Sequence, residues 1–238
     1  SSWGDKLATP SSYDPLNFFR TGYNTTTALS ISLGNEKNQT FASASSTTAE
    51  GIIPNNEYQR YNFTVRNTSN FFNDRMTLDL GFSYVIQKDQ NMLSQGQYFN
   101  PIVPLYLFPR GEDFTPYRMY ERYDEGRQLM TQHWPYGEMG MAMQNPYWII
   151  NRNMFNNDRD RYMANAGLKY KVFDWMDISG RVRIDNANTR HTKKLYASTD
   201  AKFAQNKGYY GDRKDVDKQL YADFLVNINK RFNDFDLT

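Results

Sequence analysis

The chain has 238 residues with 28 basic and 26 acidic side chains, a formal charge of +2, and no block of one sign long enough to follow a phosphate backbone, so nucleic acid is not an expected partner. Aromatics make up 16% of the residues, with 18 Tyr and 16 Phe, while the apolar total is only 39%; rings interleaved with polar residues argue against an ordinary oily core. Cysteine is absent, which removes disulfides, thiolate metal sites and thiol nucleophiles.

The first residues, SSWGDKLATP, carry neither the charged nor the apolar region of a signal peptide. Alternation begins at 25–33, where Leu29, Ile31 and Leu33 oppose Ala28, Ser30 and Ser32. Gly34-Asn35-Glu36-Lys37 reads as a turn, and 40–46 as a less apolar return strand. A loop with Gly51, Pro54, Asn55 and Asn56 leads to a strand at 60–67, with Tyr61, Phe63 and Val65 on one face. After a tight Asn73-Asp74 turn comes 76–87, where Met76, Leu78, Leu80, Phe82, Tyr84 and Ile86 alternate with Thr77, Asp79, Gly81, Ser83, Val85 and Gln87. That alternation lasts the roughly 9 to 11 residues that a tilted strand needs to cross a bilayer.

Residues 88–160 break the alternation with a run of aromatic rings, among them Trp134, Tyr136, Tyr147 and Trp148, and with six prolines that restrain the backbone. Flat rings with a polar edge suit stacking on sugars and equally suit the centre of a protein interface, or they pack the loop on itself. The cluster Trp134, Tyr136, Tyr147 and Trp148 is the candidate contact surface. His133 and His191 are far apart with no partner at ligand spacing, so no metal or other cofactor is expected. Asn157, Asp158 and Asp160 lack the spacing of a calcium loop, and adjacent Glu112 and Asp113 do not make a glycosidase pair. No phosphate loop, nucleophile elbow or triad order is present, so the chain is not expected to be an enzyme.

Alternation resumes at 162–172, turns at Phe173-Asp174-Trp175, returns at 176–185 and recurs at 220–229, with a turn near Asn233. The connections alternate short (near 35, 73, 174 and 233) and long (47–57, 88–160 and 189–217), which places all short turns on one side. The fold expected is an all-β antiparallel up-and-down meander, part of a large outer-membrane β-barrel. Its wet, lumen-facing side would carry Asp79, Arg181, Arg183 and Asp223, and Phe71, Phe72, Phe173, Trp175, Phe232 and Phe235 would form an interfacial girdle. No segment approaches 18 consecutive apolar residues, so no membrane-spanning helix is expected. The competing reading is a soluble, surface-exposed carbohydrate-binding β-sandwich that buries the same apolar faces. An open seven-stranded sheet would also expose two edges, so the isolated chain is expected to aggregate in buffer.

The succession LSISLGNEKNQTFASAS, GIIPNNEYQRYNFTVRNT, MTLDLGFSYVIQKDQNM, QGQYFNPIVPLYLFPRG, MQNPYWIINR and YKVFDWMDISGRVRID resembles the SusC/RagA-like TonB-dependent outer-membrane transporters of Bacteroidetes, over essentially the whole chain and nearest to the starch-utilisation SusC branch. The resemblance implies a plugged 22-stranded barrel that imports oligosaccharides or, as an alternative, peptides. It further implies a SusD-like surface lipoprotein closing over the barrel as a lid, energy from the TonB system, and an address in the bacterial outer membrane in contact with its lipid. Trp134, Tyr136, Tyr147 and Trp148 would then touch lid or cargo. Residues 1–24 would end an outer loop, 25–87 and 161–238 would be two groups of barrel strands, and 88–160 a long outer loop. The family's plug, its TonB box and the rest of its barrel have no counterpart in these residues, so the chain is expected to be a fragment with its true start upstream.

Overall fold

A computed structural model describes residues 8–9, 13–93, 96–137, 144–232 and 235–237. The first four strands are β1 (Tyr23–Gly34), β2 (Asn38–Glu50), β3 (Glu57–Phe71) and β4 (Met76–Gln90). The loop region that follows holds α1 (Ile102–Leu107), the short hairpin β5 (Glu121–Asp124) and β6 (Leu129–Gln132), and α2 (Pro146–Arg152). Then come β7 (Asn153–Phe173), β8 (Met176–Leu195), β9 (Tyr209–Ile228), β10 (Lys230–Phe232) and β11 (Phe235–Leu237). One seven-stranded antiparallel sheet runs in the order β1-β2-β3-β4-β7-β8-β9, so each long strand lies beside the next long strand of the chain. The expected meander is therefore present, and each of its strands is longer than the alternation marks.

The lengthening is greatest in β7, β8 and β9, of 21, 20 and 20 residues. Beyond Ile184 the β8 sequence NANTRHTKKL has no apolar face, yet every residue to Leu195 has a partner on β9. Backbone ladder bonds extend a strand whatever its side chains, provided a neighbour is in register. The three long connections accordingly shrink to residues 51–56, 91–152 and 196–208.

The short turns are built from local chemistry. Asn35 accepts from the backbone amides of Lys37 and Asn38 at 2.8 and 2.9 Å, folding the β1–β2 turn over its own side chain. Between β3 and β4, Phe72, Asn73 and Asp74 all take positive φ (54°, 52° and 63°), a conformation that Asn and Asp tolerate and Phe rarely adopts. The turn near Asn233 lies outside the described residues.

Register gives the sheet two chemically distinct faces. One lateral row crosses all seven strands as Ile31, Ala42, Val65, Phe82, Ala164, Ile184 and Leu220, each the Cα partner of the next. Because side chains alternate with period two, a one-residue slip anywhere would break that row. The apolar face stays uncovered: Phe82 is 49% exposed, Phe224 68% and Leu220 72%. Among the described residues no second sheet packs on it, which removes the sandwich expectation. Burial is concentrated instead in the loop region, where Phe18, Ile53, Leu105, Phe108, Phe114, Trp134 and Ile150 form a cluster.

Candidate functional site

The opposite face of the sheet is polar. Asp79, Gly167, Arg181 and Asp223 form one lateral row on it, and Gly81, Asn165, Arg183 and Tyr221 the next. Two glycines shape this surface: Gly167 carries nothing above the wall, and a β-carbon at Gly81 would collide with the Asn165 amide lying across it. The result is a hollow of about 480 Å³ lined by Asp79, Asn165, Lys169, Arg181, Arg183 and Tyr221. Three of the four residues assigned to the wet face thus line one depression. The fourth, Asp223, holds Arg181 across the strands at 3.0 Å.

Other pairs pin their side chains to the same wall. Thr68 donates to Asp79 at 2.6 Å, Lys169 meets Asp177 at 3.4 Å, and Arg161 grips Asp185 with two guanidinium nitrogens. Such exposed pairs add little stability individually. Their consequence is a fixed pattern of charge, in which Arg183 makes no ion pair among the described residues and stays available. Asp185 lies in the field of Arg159 and Arg183 as well as of Arg161, so this part of the wall carries an excess of guanidinium.

At the long-loop end the aromatic segment folds on itself. Trp134 is 4% exposed and lies 5.5 Å from both the Phe108 and the Tyr117 rings; Trp148 is fully buried. Tyr147 is half-buried edge-on to Phe18, and only Tyr136, 37% exposed, presents much of its ring. As contacts for a lid or cargo, Trp134 and Trp148 are corrected by this packing, because a ring already enclosed by its own loop has no face left for another molecule. Tyr13 belongs to the same packing, donating to the Leu105 carbonyl at 2.6 Å, and burial pushes its phenol up to about 12.

A buried polar clasp ties the two long loops together. The Trp148 indole donates to the Thr199 hydroxyl at 3.0 Å, and that hydroxyl donates to Asn153 at 2.7 Å. Gln132 donates its backbone amide to the Ser198 hydroxyl and its side-chain amide to the Ser198 carbonyl, at 2.9 and 2.7 Å. Gln144 accepts from the Asp200 amide at 3.1 Å. Ser198 sits at φ +80°, a strained conformation held by these bonds. Nearby, the Lys193 ammonium lies 5.1 to 5.8 Å from the rings of Phe99, Phe155, Phe203 and Tyr209, and burial draws its proton affinity down. Strand periodicity has no signal for the clasp or for the cage around Lys193, since both join residues distant in sequence.

The remaining candidates separate. Asn157 points to the polar face with His191 and Asp89, while Asp158 and Asp160 alternate to the other side, so the three do not converge. Among the described residues no cluster of metal-ligating side chains exists. Asp113 accepts from the Thr115 amide at 2.8 Å, and that turn draws its carboxyl below the usual range. Phe71 and Phe72 lie at the β3–β4 turn, and Phe173 stacks on Trp175 at 5.1 Å at the β7–β8 turn, at the same end of the sheet. The side chain of Phe232 lies outside the described residues. Towards the other end of the apolar face Phe63, Tyr84 and Tyr162 form a second aromatic line.

No family model matches this sequence, and no curated protein does. Among solved structures the chain is similar to the RagAB peptide importer in its closed-closed state, with a TM-score of 0.64 and 16% identity, covering 95% of this chain and 24% of that one. It is also similar to the ferric-catecholate import receptor Fiu of E. coli K12 in an open form, with a TM-score of 0.50 and 10% identity over 89% of this chain and 30% of that one. Both neighbours are outer-membrane β-barrel transporters, and the seven-stranded sheet has the fold of a section of such a barrel wall. The chain spans less than a third of the length of either neighbour.

Proposed function

We propose that this chain is a stretch of wall, with its outer loops, of a TonB-dependent outer-membrane importer. The observation that carries the reading is the uncovered row from Ile31 to Leu220: seven strands in register present one apolar face that nothing among the described residues covers. A lipid bilayer is a fitting cover for such a face, since closed barrels satisfy their backbone groups internally. From Tyr170 to Tyr162, β7 rises about 20 Å at the usual barrel tilt, near the height of about 25 Å expected of an apolar band. The likeness to the RagAB importer over 95% of the chain supports the same reading.

On this reading the polar face is the lumen wall, the short turns face the periplasm, and the loop assembly stands outside the cell. The cargo proposed is an oligosaccharide, delivered under a SusD-like lipoprotein lid and drawn inward by the TonB system acting on parts of the polypeptide outside this chain. The protein moves its cargo and makes or breaks no covalent bond in it. Peptide cargo is the second reading, favoured by the peptide importer among the structural neighbours.

The test is uptake by cells that make the full-length polypeptide. Labelled oligosaccharides should accumulate, and accumulation should stop when TonB is removed. Uptake of peptides with none of oligosaccharides would select the second reading. A polypeptide released from membranes by an alkaline wash would overturn both.

A further inference from the structure

Where the loop assembly meets the polar face of the sheet lies a second depression, of about 210 Å³. Its apolar walls are Met92 and Leu93 just past β4, Phe99, Ile149 and Ile150 of α2, and Phe155 of β7. β4 and β7 are interior strands, each paired on both sides, so neighbours within the chain shape this pocket. Phe99 and Phe155 meet edge-on at 5.2 Å, and the Lys193 ammonium, 5.1 and 5.5 Å from their centres, helps to fix both rings. Three asparagines also line it. Asn91 is engaged by the Phe155 amide and the Ile150 carbonyl, and Asn157 by Asp89 and His191. Asn153, 1% exposed, is different: because the Trp148 indole donates to the Thr199 hydroxyl, that hydroxyl gives its own proton to Asn153 Oδ1 at 2.7 Å. Asn153 Nδ2 is left with no acceptor among the described residues, a destabilising and uncommon state for a buried donor.

These walls define an occupant. It is small, since the pocket falls below the about 300 to 1,000 Å³ usual for a drug-sized ligand. It is apolar where it meets Ile149, Ile150 and the two rings, yet it brings an acceptor to Asn153. A hydrocarbon side chain leaves that amide unpaired, and a hydroxyl brings a proton that needs an acceptor of its own. An acetamido group carries a methyl and a carbonyl oxygen side by side. Beside the pocket, Asp89, Asn157 and His191 are successive Cα partners joined by hydrogen bonds, a polar row suited to sugar hydroxyls and to the acetamido N–H. Resting on the reading of the polar face as the lumen wall, we propose that this pocket is a subsite for one N-acetylated amino sugar of the cargo oligosaccharide. The acetyl methyl lies against Phe99, Phe155 and Ile149, and the acetyl oxygen accepts from Asn153 Nδ2.

The test uses the full-length polypeptide extracted in detergent and saturation-transfer NMR with three probes: the methyl glycosides of N-acetylglucosamine and of glucose, and N-acetyl-leucine amide. The acetyl methyl of the first glycoside should receive the strongest saturation, and that glycoside should bind about tenfold tighter than the glucoside, the worth of one buried donor satisfied. Asn153→Asp keeps an acceptor for Thr199 and removes the donor, so it should erase the preference, with unchanged proteolysis in 196–208 as the sign that the loops have closed. Leu93→Trp fills the pocket from an exposed rim position and should abolish binding of both glycosides, whereas Leu107→Trp, exposed on α1 and not part of the pocket, should leave binding intact. Equal affinity for the two glycosides, or binding that survives Leu93→Trp, would overturn the subsite while leaving the wall reading standing. Tighter binding of N-acetyl-leucine amide would overturn it in favour of peptide cargo. Failure of the wild type itself to partition into membranes would overturn the wall reading and the subsite with it.

Discussion

The wall and the loop assembly use apolar residues in opposite ways. In the wall Phe82, Val182 and Phe224 face outward and uncovered, while in the loops Phe108, Trp134 and Trp148 are enclosed. Backbone ladders hold the wall, since each strand is paired along its length and needs no core beneath it. The loops have little ladder of their own beyond the four-residue β5–β6 hairpin, so ring packing and a buried polar clasp hold them. The lesson is that the same abundance of Phe, Tyr and Trp is left uncovered on the sheet face in one region and builds a conventional core in the other.

Breaking the loop core should give the largest effect. Trp148→Ala removes a fully buried ring and is expected to cost about 3 to 5 kcal/mol of loop stability. Hydrogen exchange should then show residues 96–137 and 196–208 losing protection while β7 and β8 keep theirs; loss across the sheet would mean that the two regions are not independent.

Next in size is a charge on the wall. Val182→Arg, in the middle of the apolar face, is expected to cost about 2 to 4 kcal/mol in a bilayer, whereas Asn188→Arg, on the same face of β8 beyond the apolar row, should cost less than about 1. Denaturant unfolding of the full-length polypeptide from vesicles measures both, and equal costs would remove lipid as the cover of that face.

Thr199→Val keeps the shape of the clasp but strips the hydroxyl from the Trp148 indole and from Asn153, for an expected loss of about 1 to 3 kcal/mol confined to the loops. Limited proteolysis in 196–208 is the readout, and unchanged cleavage would show that the bonds do not tie the loops.

The smallest effect expected is with pH. Tyr13 keeps its proton in the folded loop up to about 12, against 10.0 for the free phenol, because burial disfavours the phenolate. The folded state therefore holds this proton more tightly than the unfolded one. Its contribution is intact below pH 10 and is lost as pH rises from there through about 12. Phenolate absorbance should resolve this late tyrosine, and Tyr13→Phe should reduce the alkaline loss, the remainder falling to Tyr136 and Tyr147, whose phenols burial also raises; an unchanged profile would place the cause elsewhere.

Much of the wall was legible in the residues. Alternation at 25–33, 60–67, 76–87, 162–172, 176–185 and 220–229 marks the strands because period two is imposed by the backbone itself, and the Asn35 and Asn73-Asp74 turns announce themselves through side chains that favour tight reversals. The same alternation put Asp79, Arg181, Arg183 and Asp223 on one face, which is where they lie. It could not reach the upper halves of β8 and β9, where both faces are polar and only pairing with a neighbour makes a strand.

Trp134 and Trp148 mark the other boundary. Their sequence neighbourhood gives ring chemistry and no sign of whether those rings face outward or inward, since burial depends on Phe18, Phe108, Tyr117 and Thr199, brought in from far along the chain. The sequence by itself thus determined the strands, their polar and apolar sides and the short turns, because these follow from local geometry. Tertiary structure alone decided the register that lines seven apolar side chains into one row, the hollow over Gly167 and the closing of the loops, because each depends on which strand or loop becomes a neighbour.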